Sequence, residues 1–142
     1  MSAEKLYSEI FEEFDNAPNR AEKINVLRKH DHPRFRDFLV MAFNPKIKFD
    51  VEIPKYRPAP EPAGLNWTYL DMEMSKMYRF VHGHPLSTNL TEDKKKALLT
   101  VVLESLHKDE AELLVKMLSK NLQIKFLTPK MISEALHGIN IE

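Results

Sequence analysis

The chain has 142 residues, 30% of them charged and 43% hydrophobic, and its 21 lysines and arginines balance 21 aspartates and glutamates. That length suits one domain able to bury roughly two-thirds of its unfolded surface, and the composition excludes a disordered chain. The lack of cysteine excludes disulfides, thiolate metal sites and cysteine nucleophiles, and no apolar run approaches the roughly twenty residues that span a bilayer.

The acidic stretch 1–18 opens the chain, with five acids against Lys5 in its first fifteen residues. Leu6, Ile10 and Phe14 recur every four residues with Tyr7 and Phe11 beside them, which is the apolar stripe of a helix. An acidic, amphipathic start does not read as a secretory leader, so a cytoplasmic location is expected. Asn19 is placed to cap a second helix carrying Ala21, Ile24 and Leu27. Pro33 suits the first turn of a third, whose buried face would hold Phe35, Phe38, Leu39, Ala42 and Phe43 before Asn44–Pro45 ends it.

Over 46–66 the pattern alternates apolar and polar residues and then fills with Pro54, Pro58, Pro60 and Pro62. Those prolines forbid a regular helix and discourage a central strand, leaving an extended strap. It is either a functional loop or a structural strap pinned by Phe49, Ile53, Tyr56 and Trp67. Helix resumes with Leu70, Met74, Met77 and Val81 on one face, is broken at "HGHPLSTN", and returns behind a Thr91 cap with Leu98, Val101, Val102 and Leu106 inward. A further helix follows with Leu113, Leu114, Met117 and Leu118. Thr128–Pro129 begins the last, which Gly138 ends. The expected fold is all-α, a single domain of about six or seven helices with a proline-rich extended loop.

Chemistry is harder to find. The histidines lack metal-ligand spacing, and no phosphate loop, dinucleotide fingerprint, nucleophile elbow or nucleotidyl-transfer lysine motif is present. The carboxylate pairs Glu12–Glu13 and Asp109–Glu110 sit in charged stretches, so neither a catalytic site nor a cofactor is expected. What stands out is a basic joint. Residues 116–130 hold Lys116, Lys120, Lys125 and Lys130 and no acid. A helix beginning at Thr128 offers free backbone N–H groups and a positive dipole end, and the lysines beside it could track phosphates without reading bases. The alternative is that these lysines favour a helix C-terminus and keep the surface soluble. Residues 20–57 carry ten Lys and Arg against five acids, so Lys46, Lys48, Lys55 and Arg57 of the strap form a second candidate patch.

The stretch "LLVKMLSKNLQIKFLTPKMISEALHGI" resembles the end of the N-terminal DNA-binding domain of ATP-dependent DNA ligases, especially those of T-even-type phages. Met117, Lys120, Asn121 and Leu122 match the end of that family's penultimate helix, and Gly138–Ile139 the end of its last. Residues 24–60 are similar to the corresponding ligase segment. The resemblance implies a stand-alone relative of that domain in an infected bacterial cell, without the catalytic core. Its role would be to grip duplex DNA through backbone contacts, or to dock on the replication clamp, a phage replication or transcription protein, or a host protein. Lys125 stands near the place where the ligase turn has a glycine, and the turn is one residue longer. The end "GINIE" reads as a hydrophobic docking tail or a frayed terminus.

Overall fold

A computed structural model describes residues 5–141. Among them are eight α-helices and one 3₁₀ segment: α1 (Tyr7–Asn16), α2 (Arg20–Lys29), α3 (Pro33–Phe43), α4 (Leu70–Glu73), the 3₁₀ segment Met74–Phe80, α5 (Pro85–Thr88), α6 (Glu92–Ser105), α7 (Lys108–Leu118) and α8 (Pro129–Ala135). The all-α expectation holds, with two more helical pieces than the sequence pattern counted. Residues 1–4 of the acidic N-terminal stretch lie outside the described residues.

Helix α7 is the centre of the fold. Its buried face, Ala111, Leu114 and Met117, meets α1, α3, α4 and α6, while α2 closes against α1 and α8. Tyr7 and Phe11 of α1 pack on Phe35 and Phe38 of α3 with ring centroids 5.2–5.9 Å apart, within the range where tilted and edge-to-face pairs attract. The N-caps read from sequence form as expected: the Asn19, Thr91 and Thr128 side chains accept the N–H of Glu22, Lys94 and Met131. Gly83 follows the 3₁₀ segment and Gly138 follows α8 at positive φ, and Gly64 makes a positive-φ turn within the strap.

Four expectations need correction. The helix expected through Leu70–Val81 becomes one α-turn followed by 3₁₀. Its buried residues Met74, Met77 and Phe80 recur every three, which the three-residue turn aligns on one face. Trp67 does not pin the strap, because it is 88% exposed; Phe49, Val51, Ile53 and Tyr56 rest on the core instead. Val101 is 66% exposed and Ala21 is exposed too, since the neighbouring Val102 and Leu103, and Ile24 and Leu27, take the inward positions. Over its described residues the expected docking tail is not free: Ile141 is 3% exposed, and the Asn140 carbonyl accepts a hydrogen bond from the Asn44 side chain, while Glu142 lies outside the described residues.

A buried carboxylate joins three elements. Glu110 on α7 accepts the backbone N–H of Tyr7 on one oxygen and of Leu70 on the other, each at 2.9 Å, and is 1% exposed. Tyr7 and Leu70 are the first residues of α1 and α4, so one side chain serves two helix N-termini whose donors have no intrahelical partner. Burial pushes the Glu110 carboxyl above its usual range, and the two backbone donors oppose that shift. Replacing Glu110 by Ala leaves two buried N–H groups unpaired. It should lower unfolding free energy by about 2–5 kcal/mol in urea denaturation. A loss below about 1 kcal/mol would show that these helix starts are held by other contacts.

Candidate functional site

The basic joint is built by the way α7 ends. Asn121 N–H bonds the Lys116 carbonyl and Lys120 N–H bonds the Met117 carbonyl, each at 3.0 Å, which is a Schellman C-terminus. That motif needs a left-handed residue, commonly glycine, and here Lys120 fills it at φ 59°. Two more non-glycine residues of the turn are left-handed, Gln123 at φ 57° and Phe126 at φ 68°. Phe126 is the third residue of a turn in which Leu127 N–H bonds the Ile124 carbonyl at 3.2 Å. A type II turn demands positive φ there. Three such residues cost about 3–6 kcal/mol together.

Lys120 has a visible compensation. Its ammonium donates to the Met41 carbonyl and, at 2.8 Å, to the Asn44 carbonyl, and lies 5.8 Å from the Phe49 ring centroid. These carbonyls are at the C-terminal end of α3, where the helix dipole favours a cation. Burial pulls the Lys120 ammonium down to about 8. Lys120 therefore leaves the expected set of phosphate contacts and becomes the clasp between turn, α3 and strap. Lys116 is half-engaged, with its ammonium 3.1 Å from Glu112 one helical turn earlier.

The anion site expected at the start of α8 is also reduced. Pro129 has no N–H, and the Thr128 hydroxyl already accepts the Met131 N–H at 3.2 Å, so Lys130 N–H is the free first-turn donor among the described residues. Lys125, at the second position of the turn, and Lys130 are both exposed.

The strap lies beside this turn because the Lys120 clasp holds Asn44 just before it. Asp50 N–H bonds the Phe80 carbonyl and His82 N–H bonds the Lys48 carbonyl, each at 2.7 Å, fixing the strap on the 3₁₀ segment. Ile47, Phe49, Val51 and Ile53 turn inward, so Lys46, Lys48, Asp50 and Glu52 face out. The outward acids are taken: Asp50 by His82 at 2.5 Å and Glu52 by Lys96 at 3.4 Å. Lys46 and Lys48 follow directly on Asn44, whose carbonyl the Lys120 ammonium holds. Lys55 and Arg57 lie farther along, where Arg57 N–H bonds Glu104 of α6 at 2.8 Å. Among the described residues, none of Lys46, Lys48, Lys55, Arg57, Lys125 and Lys130 has a carboxylate oxygen within 4.0 Å.

Two residues escaped the sequence reading. Phe126 is 58% exposed, and Lys23 is buried with its ammonium on the Phe14 and Asp15 carbonyls and 5.5 Å from the Phe126 ring. Nothing local announces a left-handed phenylalanine; the missing turn glycine was the one available hint.

A family model described as a family of unknown function (DUF6433) matches residues 10–124, a span that includes Lys116 and Lys120 and stops before Lys125. No curated protein and no solved structure matches the chain.

Lys120 gives a direct test of the clasp. Lys120→Met keeps the backbone strain and removes the donor, and should cost about 1–3 kcal/mol in denaturant unfolding. Lys120→Gly also relieves the left-handed backbone, so it should be the milder loss by about 1 kcal/mol. A Met variant as stable as the parent would show that the ammonium contributes nothing.

Proposed function

We infer that this chain, which belongs to the DUF6433 family of unknown function, is a non-enzymatic accessory protein that binds duplex DNA through its phosphates without strong sequence preference. The observation that carries this reading is the separation of charge at the joint. Nearby acids are occupied, Glu134 by Arg20 at 2.5 Å, Glu112 by Lys116, and Asp50 and Glu52 as above, while Lys46, Lys48, Lys125 and Lys130 stand exposed without a carboxylate partner among the described residues. Long flexible lysines with unneutralised heads suit phosphate contacts, which position a protein on DNA but carry no base information. Lys55 and Arg57 extend the same strap, and Lys116 joins the set when Glu112 releases it. The resemblance of residues 113–139 to the DNA-binding domain of phage DNA ligases favours the same reading.

Fluorescence anisotropy with a short labelled duplex tests it. Four phosphate contacts predict that raising salt fourfold, from about 50 to 200 mM, weakens binding about 150-fold. The double substitution of Lys125 and Lys130 by Glu should abolish the interaction at the lower salt. Unchanged affinity in that variant would remove the joint from the interface, and absence of binding by the parent chain would overturn the reading.

A second reading, a protein–protein adaptor, is favoured by one observation. Leu65, Trp67, Tyr69 and Met72 are all exposed within eight residues, and a short run of large apolar side chains in water is a common mark of a docking surface. Trp67 is the chain's single tryptophan, so its emission reports on this surface alone. The free protein should emit as a fully hydrated indole, and a protein partner seated on the run should shift that emission to the blue. A candidate partner that binds without moving it docks elsewhere.

A further inference from the structure

We propose that Phe126 is a stacking platform for an unpaired nucleobase, so that the protein prefers DNA with an unstacked nucleotide over continuous duplex. This deepens the DNA-binding reading and rests on it. The three left-handed residues of the turn are not equivalent. Lys120 recovers its strain through two carbonyl contacts, and Gln123 is a polar residue in solvent. Phe126 holds a bulky ring at φ 68°, where glycine is the ordinary choice, and leaves 58% of itself in water. Strain that burial does not explain gathers where a fold presents a group to a ligand.

The ring's surroundings fit a base better than a protein side chain. Its exposed sequence neighbours Gln123, Lys125 and Thr128 are polar, and Phe126 is the one large apolar side chain between residues 116 and 130 that is mostly in water. Two ammonium groups lie over it, Lys125 at 5.2 Å and Lys23 at 5.5 Å from the ring centroid, so a base would stack on the face that Lys125 vacates. Lys23 is held by the Phe14 and Asp15 carbonyls, at 2.9 and 3.3 Å. Lys125 is exposed at the turn's second position and is free to move to a phosphate. An aromatic face framed by cations is the arrangement that proteins use to hold single-stranded nucleic acid, because every base offers a π-face and its phosphate follows at short range. In continuous duplex both faces of each base are covered, so the ring would meet only a base in a gap, a bulge, a frayed end or a single strand.

The test compares two labelled duplexes of equal length and charge, one fully paired and one carrying a single unpaired 2-aminopurine, with the full chain at low salt. The unpaired form should bind about 5- to 150-fold more tightly, and the 2-aminopurine emission should be quenched. Phe126→Leu and Phe126→Gly should both erase the preference and the quench while keeping the affinity for paired duplex; Phe126→Trp should retain both. The Gly variant also relieves the left-handed backbone, so its Tm should be unchanged or higher. Binding to both duplexes with equal affinity would overturn the platform and leave the phosphate reading standing. So would a preference that survives in Phe126→Leu, or a large drop in Tm in Phe126→Gly, which would make the ring a packing residue. No binding to either duplex would overturn both.

Discussion

Every helix end leaves backbone groups without partners, and this fold is made of helix ends. Seven of the eight α-helices have eleven residues or fewer. Pieces of that length are marginal alone in water, so their termini must be satisfied from elsewhere. Charged side chains on distant elements supply the partners. Glu110 receives the first N–H groups of α1 and α4. Lys23 sits on the last carbonyls of α1, Lys120 on those of α3, and Arg28 on the Glu134 and Ala135 carbonyls that close α8. The signs agree with the helix dipole throughout: an anion at the N-termini and cations at the C-termini. Among the described residues no buried side-chain nitrogen or oxygen lacks a partner.

This arrangement also decides which charges remain exposed and unpaired among the described residues. The chain is neutral overall, yet its cations are of two kinds. Lys23 and Lys120 face inward and hold helices together. Lys46, Lys48, Lys125 and Lys130 face outward beside acids that other side chains already occupy. For Lys46 and Lys48 this is a product of packing, since their sequence neighbours Asp50 and Glu52 are turned to His82 and Lys96; Lys125 and Lys130 have no acid between residues 116 and 130 to offset them in the first place.

The turn between α7 and α8 links the two themes. The clasp at Lys120 holds a left-handed backbone that would otherwise favour glycine, and the same clasp brings the start of the strap beside the turn. The strap in turn rests on the 3₁₀ segment through two short backbone bonds. A single ammonium therefore connects the end of α3, the end of α7 and the strap, and it sets where the outward lysines stand relative to one another.

Much of the fold was legible because its signals act within four residues. Asn19, Thr91 and Thr128 cap helices that start beside them, Pro33 and Pro129 open helices, the three glycines sit at turns between elements, and the strap's prolines exclude helix. The apolar spacing in α1, α3 and α7 named most of the core. The candidate site was only half legible. Lys125, Lys130, Lys46 and Lys48 stand exposed, but Lys120 turned inward, Trp67 turned outward, Ile141 packed down, and Phe126 gave only the hint of a missing turn glycine. These differences have one physical cause. A side chain's role depends on a partner that sequence spacing does not reveal: Asn44 lies 76 positions from Lys120, and Tyr7 lies 103 from Glu110. The sequence by itself determined where helices begin and stop and which faces are apolar, because those follow from local backbone chemistry. Only the tertiary structure decided which charges are spent on helix ends and which stay exposed without a carboxylate partner, because that depends on which ends meet in space.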